Sequence, residues 1–551
     1  MTTDPALAAR TAPSADADPV TQRFREALGD AAVDRSQASR AAAETATFAT
    51  QARVRGILRP RGRDEVQLCV RIAREEGVPL YPTSGGKNWG LGSRVPTADG
   101  AYLLDLGAMA RILDYDAELA HVTIEPGVTF AQLAAFLRER GDQHFLSTTG
   151  STPASSVVGN TVERGDGVGP LGDRAAHVCA LEVVLGTGEV IETGFARFAG
   201  ASAARAYRWG VGPSLDALFQ QSNLGVVTRM TVWLSPRPAA LLAFRFALAD
   251  ADALGPATEA IRALRLEGTL RSLVAVWNDF RVLSTRVNLP WDDASPSAAL
   301  RREGLAALAG GEVAPWYGMG AVYAGSPALA EAARLRITEV LGPHVVDLCF
   351  EEQRRGDATI KRYGDAGRDL AAFGSGEAAF AVLSGQPQEA SLRTAYFRKA
   401  TLPPVGDRDL DRDRCGVLWS CPVVPLRAAD VTRATAICEA ILGEHSFEPM
   451  LALLAQHDRT AYLVPILIYD RDVPGDDARA RACHDACLAA LIAAGYLPYR
   501  LGVQSMGALP RPHDDSAALF ERLRRAFDPD AVIAPGRYDM SRRGGDDDGH
   551  R

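Results

Sequence analysis

Four groups of residues in this 551-residue chain have the types and spacing to do chemistry. The first is the loop Thr83-Ser84-Gly85-Gly86-Lys87-Asn88-Trp89-Gly90-Leu91-Gly92-Ser93, with four glycines in eight residues. Such a loop reaches positive φ and brings backbone N–H groups close to an anion. Successive inward N–H groups form a nest that suits a pyrophosphate. The spacing is neither a Walker A loop nor GxGxxG, which argues against a nucleotide triphosphatase or a Rossmann site. Taken alone, the loop reads more readily as a tight turn between two strands. The second group is Tyr499-Arg500, an apolar-flanked pair after Gly495. A fixed guanidinium in a dry site stabilises an anionic oxygen strongly, although residue type alone favours an ordinary salt bridge at a strand edge. The third is His457-Asp458, a tempting acid/base pair. Neighbours in a strand point to opposite faces, so these two read as a surface loop. The fourth is Cys483, His484 and Cys487. In a helix the cysteines share one face, and without a second ligand pair they read as helix core rather than metal site.

The elements that must position these groups follow from patterning. Length predicts two or three domains. The formal net charge of −8 argues against nucleic acid as a partner. Eight scattered cysteines fit a reducing compartment, and the reading is cytoplasmic. No stretch reads as a membrane span or a signal peptide. Residues 1–20 read as a disordered lead-in and 542–551 as a disordered tail. Helical spacing marks 64–76, closed by Gly77. Strands are predicted at 101–106 and 120–125. Pro126-Gly127 breaks the chain, and Thr129 caps a helix to about 140. Gly186-Thr187-Gly188 marks a hairpin between 179–185 and 189–192, and a strand is predicted at 230–234. The prolines at 236 and 238 mark a domain boundary. Beyond them, helices at 257–266, 327–341, 428–442 and 477–494 alternate with strands such as 273–277 and 461–469, an α+β pattern.

Read in order, the motifs resemble the vanillyl-alcohol oxidase and 4-cresol dehydrogenase family of flavoproteins. The set comprises the glycine loop, Val122–Thr129, Val158-Gly159-Asn160-Thr161-Val162-Glu163-Arg164-Gly165, Ala180–Leu185, Asn223–Thr228, Asp528-Pro529 and Ala534–Arg537. The match covers about residues 50 to 540. It implies an α+β fold, with an FAD-binding domain of two segments (21–238 and 504–541) and an inserted cap, or substrate, domain (239–503). FAD would lie extended and without a covalent bond, held by Thr83, Ser84, Gly85, Gly86, Lys87, Asn88, Gly90, Pro126, Gly127, Ser151, Gly159, Asn160, Gly165, Gly225, Val226 and Arg537. Tyr499 and Arg500 would be catalytic and meet a substrate oxygen, with Leu91 and Trp419 lining the pocket. No metal is expected. The implied activity is hydride removal from a small phenolic or aromatic alcohol-type substrate, with O2 or an electron-acceptor protein taking the electrons. A homodimer stays open.

Three positions depart from the family pattern. Leu91 stands where the family loop often has a second tyrosine. Ser151 stands where some members place an acid near the flavin. Val417 stands at the usual covalent attachment position. These departures keep two alternatives in view: a 2-hydroxy-acid dehydrogenase with Arg500 on a carboxylate, and a flavin-binding protein without turnover.

Overall fold

In the computed structural model, residues 18–289, 299–364 and 376–540 are described. The expectations for residues 1–17 and for the 542–551 tail lie outside them. A helix starts at Pro19, capped by the Asp18 side chain, so the expected lead-in to residue 20 ends earlier than composition implied.

The architecture is α+β, as expected, and is built on three main sheets. The first runs Val33–Asp34, Val54–Leu58, Ala101–Asp105, Leu80–Thr83, the last three strands mutually parallel. Leu80–Thr83 delivers the chain into the glycine loop at a strand end. The helix before it spans Arg63–Glu76 and stops at Gly77, whose φ of 62° is the left-handed conformation that ends helices. The C-terminal segment returns to this sheet: Leu80 N donates to Val532 O at 2.7 Å, and Ala534 N to Leu80 O at 2.7 Å. Asp528 shapes that return. Its buried carboxylate accepts from the Val532 and Ile533 amides at 3.1 and 2.8 Å. A Cβ on Gly186 would fall 2.3 Å from the same carboxylate, so the hairpin turn needs glycine there.

The second sheet has five antiparallel strands: Ile112–Asp116, His121–Ile124, Gly225–Trp233, Val178–Leu185 and Val190–Glu192. Its third strand begins at Gly225, five residues before the predicted 230, because Val226 and Val227 pair with Val184 and Val183. The helix Phe130–Glu139 packs Phe130, Leu133 and Leu137 on this sheet. Thr129 and Gln132 cap it reciprocally, satisfying two otherwise unpaired amides.

The third sheet has nine antiparallel strands between Ala240 and Asp470. Helices Leu254–Leu266, Pro327–Leu341, Ala428–Glu444 and Asp476–Ala493 bury one face, where Leu418, Leu451, Leu463 and Leu467 point. Cys483 and Cys487 belong to this core, on one face of the last helix. Alternation sends Cys415, Val417, Trp419, Met450, Tyr462, Val464 and Ile466 to the other face. That second face closes the candidate site. No helix among the described residues is long and apolar enough to cross a membrane.

Candidate active site

The glycine loop leaves Thr83 along the edge of an open cleft. Thr83, Ser84, Gly85, Gly86, Lys87, Asn88, Pro126, Ser151, Gly159, Asn160, Gly225, Val226, Arg537 and Arg500 all line it. Gly86 has φ of 63°, which bends the loop around the space. Among the described residues, the backbone amides of residues 84–88 donate to no protein acceptor. The Ser151 and Ser155 hydroxyls at the cleft are buried without a hydrogen-bond partner. A run of unsatisfied amides beside orphaned hydroxyls fits an anionic ligand with many acceptor oxygens, and the pyrophosphate of FAD is one.

Three of the expected cofactor glycines do not line this cleft. A Cβ on Gly90 would sit 2.4 Å from the Trp419 indole, and the Gly90 amide donates to Thr47 Oγ1 at 2.9 Å. Gly90 therefore makes room for the Trp419 indole. A Cβ on Gly127 would lie 2.4 Å from the Gly107 carbonyl, and one on Gly165 would lie 2.4 Å from the Asn160 amide group. Both permit close packing under the cleft. Lys87 lines the cleft, but its ammonium is paired with Asp409.

Arg537 is anchored from the sequence-distant Glu163. Its Nη2 lies 2.6 Å from Glu163 Oε1, its Nη1 donates to Tyr81 Oη at 3.0 Å, and Tyr538 donates to Glu163 Oε2 at 3.0 Å. Burial opposes ionisation of Glu163, but the Arg537 and Arg500 charges overrule it and hold its pKa below the ordinary value. Glu163, Tyr81, Gln221 and Ile533 also line the cleft. Glu163 sits inside the motif Val158–Gly165, but nothing local marked its partner more than 370 residues away.

Tyr499 and Arg500 are set by backbone pairing with the chain just after the Cys415–Trp419 strand. Tyr499 N donates to Cys421 O at 3.0 Å, and Pro498 bridges to Pro422. Gln221 Nε2 fixes the Tyr499 carbonyl at 2.8 Å. The two side chains diverge. Arg500 is buried and turns into the cleft, where its Nη2 donates to Asn88 Oδ1 at 2.8 Å and its Nε has no partner. Burial opposes its charge, but Tyr499 and Glu163 outweigh burial and raise its pKa further. Tyr499 stacks on Tyr462, ring centroids 4.0 Å apart and planes 20° apart. Among the described residues the Tyr499 hydroxyl has no hydrogen-bond partner, and burial pushes its pKa well up.

The stack brings in His457, whose Nε2 lies 2.7 Å from Tyr462 Oη. His457 does lie in a loop, but it is half-buried and its ring packs on Tyr462, which corrects the reading of it as surface; Asp458 is exposed and pairs with Arg265.

Val417 lies on the nine-stranded sheet, on the face opposite its helices. Its amide donates to Thr47 O, and its carbonyl accepts from Thr47 Oγ1, both at 2.9 Å. Trp419 donates from Nε1 to the Trp89 carbonyl at 3.1 Å, tying the nine-stranded sheet to the glycine loop. Leu91 is buried, and its carbonyl accepts from Val503 N at 3.0 Å. It ties the loop to the chain just past Arg500.

Residues 54–194 match the FAD binding domain family. The chain is 48% identical over 524 residues to 1'-carboxy-chondrochloren decarboxylase of Chondromyces crocatus, covering 94% of this chain and 96% of that protein. It is 26% identical over 484 residues to the 4-cresol dehydrogenase [hydroxylating] flavoprotein subunit of Pseudomonas putida, covering 86% of this chain and 85% of that one. In fold it matches substrate-bound p-cresol methylhydroxylase with a TM-score of 0.81, at 24% identity over 94% and 96% of the two chains. It matches the isoeugenol complex of 4-ethylphenol oxidase from Gulosibacter chungangensis with a TM-score of 0.82, at 24% identity over 95% and 96%.

Proposed function

The chain belongs to the vanillyl-alcohol oxidase and 4-cresol dehydrogenase family of FAD-linked oxidoreductases, and from that premise we propose that it oxidises a phenol bearing a carboxylate side chain and releases CO2. The observation that carries the reading is Arg500, a buried guanidinium with a free N–H at the cleft beside an unengaged tyrosine hydroxyl. It is the group to hold a phenolic oxygen as charge develops on it. Loss of CO2 is supported by the 48% identity to a protein named as a decarboxylase. FAD, bound along the glycine loop, supplies the acceptor for a hydride. The bookkeeping then closes on the substrate. A hydride leaves the carbon next to the ring, and the electron pair of the bond to the carboxylate becomes a new C=C bond as CO2 departs. Regeneration of the cofactor falls to O2 or an electron-acceptor protein.

In this reading residues 21–238 and 504–541 form the FAD domain, and 239–503 the cap. The Ser84–Asn88 amides, Ser151, Ser155, Asn160 and Arg537 hold the cofactor. Trp419, Tyr462 and Tyr499 bound the substrate space from the cap side and exclude water. The likeness to 4-cresol dehydrogenase favours a second reading, oxidation of a simple alkylphenol without loss of CO2.

Anaerobic mixing with three substrate panels tests both readings. The panels are 3-(4-hydroxyphenyl)propanoates, 4-alkylphenols and 2-hydroxy acids. The expected result is flavin bleaching by the first panel with one CO2 released per flavin reduced. Bleaching by alkylphenols alone supports the second reading. Bleaching only by 2-hydroxy acids overturns both.

The aliphatic Val417 at the attachment position carries a separate expectation. Acid or heat denaturation should free the FAD, leaving no fluorescent flavin on the protein band of a denaturing gel. A fluorescent band would identify an attachment residue elsewhere.

A further inference from the structure

Asp166 lies in the loop after Asn160, folded back on itself by the Gly167 N to Gly172 O bond at 2.9 Å and a bridge to Asp173. The loop is held from below by Arg174, whose Nη1 donates to Gly165 O at 3.0 Å and Asn160 Oδ1 at 2.8 Å, and whose Nη2 donates to Ser147 O at 2.9 Å. It is pressed from above by the cap. A Cβ on Gly172 would fall 2.2 Å from the Gln456 side chain, the residue before His457. Asp166 is thus set where the flavin-side loop meets the hairpin that carries Tyr462.

Its carboxyl group makes no hydrogen bond or ion pair within the described residues, although it is partly buried. Arg174 spends its donors on backbone and amide oxygens rather than on this carboxylate. The groups within electrostatic reach are Arg174 and Asp173 from its own loop, and Arg500, Tyr499, Tyr462 and Cys421 from the cap. Arg164 acts on Tyr462, and His457 stands behind Tyr462. A carboxyl left unpaired within electrostatic reach of Arg500 and the two stacked tyrosines belongs to the cluster assigned above to the substrate oxygen.

We propose that Asp166 is the base that takes the proton from the ring hydroxyl of the substrate and returns it to the product, an assignment that rests on the phenolic reading above. The O–H bond breaks, its proton passes to a carboxylate oxygen of Asp166, and the substrate oxygen keeps the electron pair beside Arg500. That pair drives the hydride off the ring-adjacent carbon to FAD. Loss of CO2 then restores the aromatic ring and its oxyanion, and Asp166 gives the proton back. Asp166 thereby fills the need left by a hydroxyl at Ser151.

The titration of the cluster agrees. Burial, aided by Asp173 and opposed by Arg174 and Arg500, pushes the Asp166 carboxyl up to about 7. Burial drives Tyr499 and Tyr462 well up and Cys421 up to about 12, so none of these three changes charge near neutrality. A base with a pKa near the working pH is the most effective proton acceptor.

The test uses the FAD-loaded protein and its Asp166→Asn variant, with flavin reduction followed from about pH 5 to 9, a range that brackets a base titrating near neutrality. The parent rate should climb with pH through about 7. Asp166→Asn should lack that limb and be slower by roughly 10²-fold or more on ordinary phenols. Substrates whose ring carries an ortho nitro group or several fluorines, ionised in the upper part of this range, should largely recover the variant. His457→Gln should keep the limb. A second readout is the pH at which bound 4-nitrophenol turns to its yellow phenolate, which should differ between parent and Asp166→Asn. If Asp166→Asn loses FAD, Asp166→Glu replaces it and should retain the limb. The assignment is overturned by an unchanged limb and an unchanged nitrophenol titration, or by an equal loss on acidic and ordinary phenols, the mark of a purely structural residue. A parent protein that no phenol bleaches refutes the phenolic reading instead, and Asp166 with it.

Discussion

Replacing Arg500 by alanine is expected to slow flavin reduction by roughly 10²–10³-fold, about 3–4 kcal/mol, the usual cost of losing one preorganised donor to a developing oxyanion. The guanidinium is already in place: buried, tethered by Asn88 Oδ1 at 2.8 Å, and with its Nε uncommitted. No reorganisation is needed as charge appears on a substrate oxygen. The effect should therefore fall on kcat and kcat/KM together, rather than on KM alone. Arg500→Lys should recover only part of it. An ammonium cannot keep the Asn88 bond and offer a second N–H in the same plane. Tyr499→Phe should cost less, on the order of 1 kcal/mol, because it removes one neutral hydrogen bond and keeps the stack on Tyr462. Stopped-flow reduction with FAD content measured first is the check. An Arg500→Ala protein that keeps its flavin and reduces it at the parent rate would remove Arg500 from the reaction.

The second large effect concerns stability and cofactor retention. Arg537→Met should cost about 3–5 kcal/mol, since it leaves the Glu163 carboxylate buried with its nearest positive charge gone. The side chains are only 9% and 19% exposed, so solvent cannot make good the loss. The same substitution removes a cleft wall and frees Tyr81, so FAD content should fall with the unfolding midpoint. Adding Glu163→Gln should recover much of the stability, because it removes the orphaned charge.

The pH dependence has a definite sign. The folded-state pKa of Glu163 is depressed, so its contribution to stability is present above the unfolded value of 4.5 and is lost as pH falls through the folded value. In Arg537→Met the carboxyl is no longer held down by that neighbour. The gap between parent and variant should therefore be widest at neutral pH and narrow on acidification. Denaturant midpoints across pH, with flavin absorbance followed in parallel, measure it. A gap that does not change with pH would mean that the lost packing of Arg537 dominates over its charge.

Much of this protein is legible in its sequence wherever the signal is local. The helix over Arg63–Glu76 with Gly77 after it, the capped helix after Thr129, the hairpin at Gly186-Thr187-Gly188 and the helix Pro327–Leu341 follow from periodicity and caps within a few residues. The order of motifs from the glycine loop to Arg537 carried the family and its FAD, because each motif is a short backbone shape needing particular residues. The alternation that sends Val417 toward the site and Leu418 into the helical core is likewise a property of the strand itself.

What tertiary structure alone decided is which side chains meet across separately folded parts. Gly90 reads as a phosphate glycine, yet its missing Cβ is filled by Trp419, 329 residues later. His457 reads as surface, yet a hairpin turns it onto Tyr462, and Tyr462 onto Tyr499. Asp166 carries no local mark beyond being an acid in a glycine-rich loop. It becomes a candidate base only because folding brings Tyr462, Tyr499 and Arg500 within electrostatic reach of it, while Arg174 gives its hydrogen bonds to other atoms. The reason is physical. A sequence records the periodicities and turn chemistry that act between near neighbours. Charge, desolvation and the lack of a partner at a buried group are instead set by whatever packing brings against it from far along the chain.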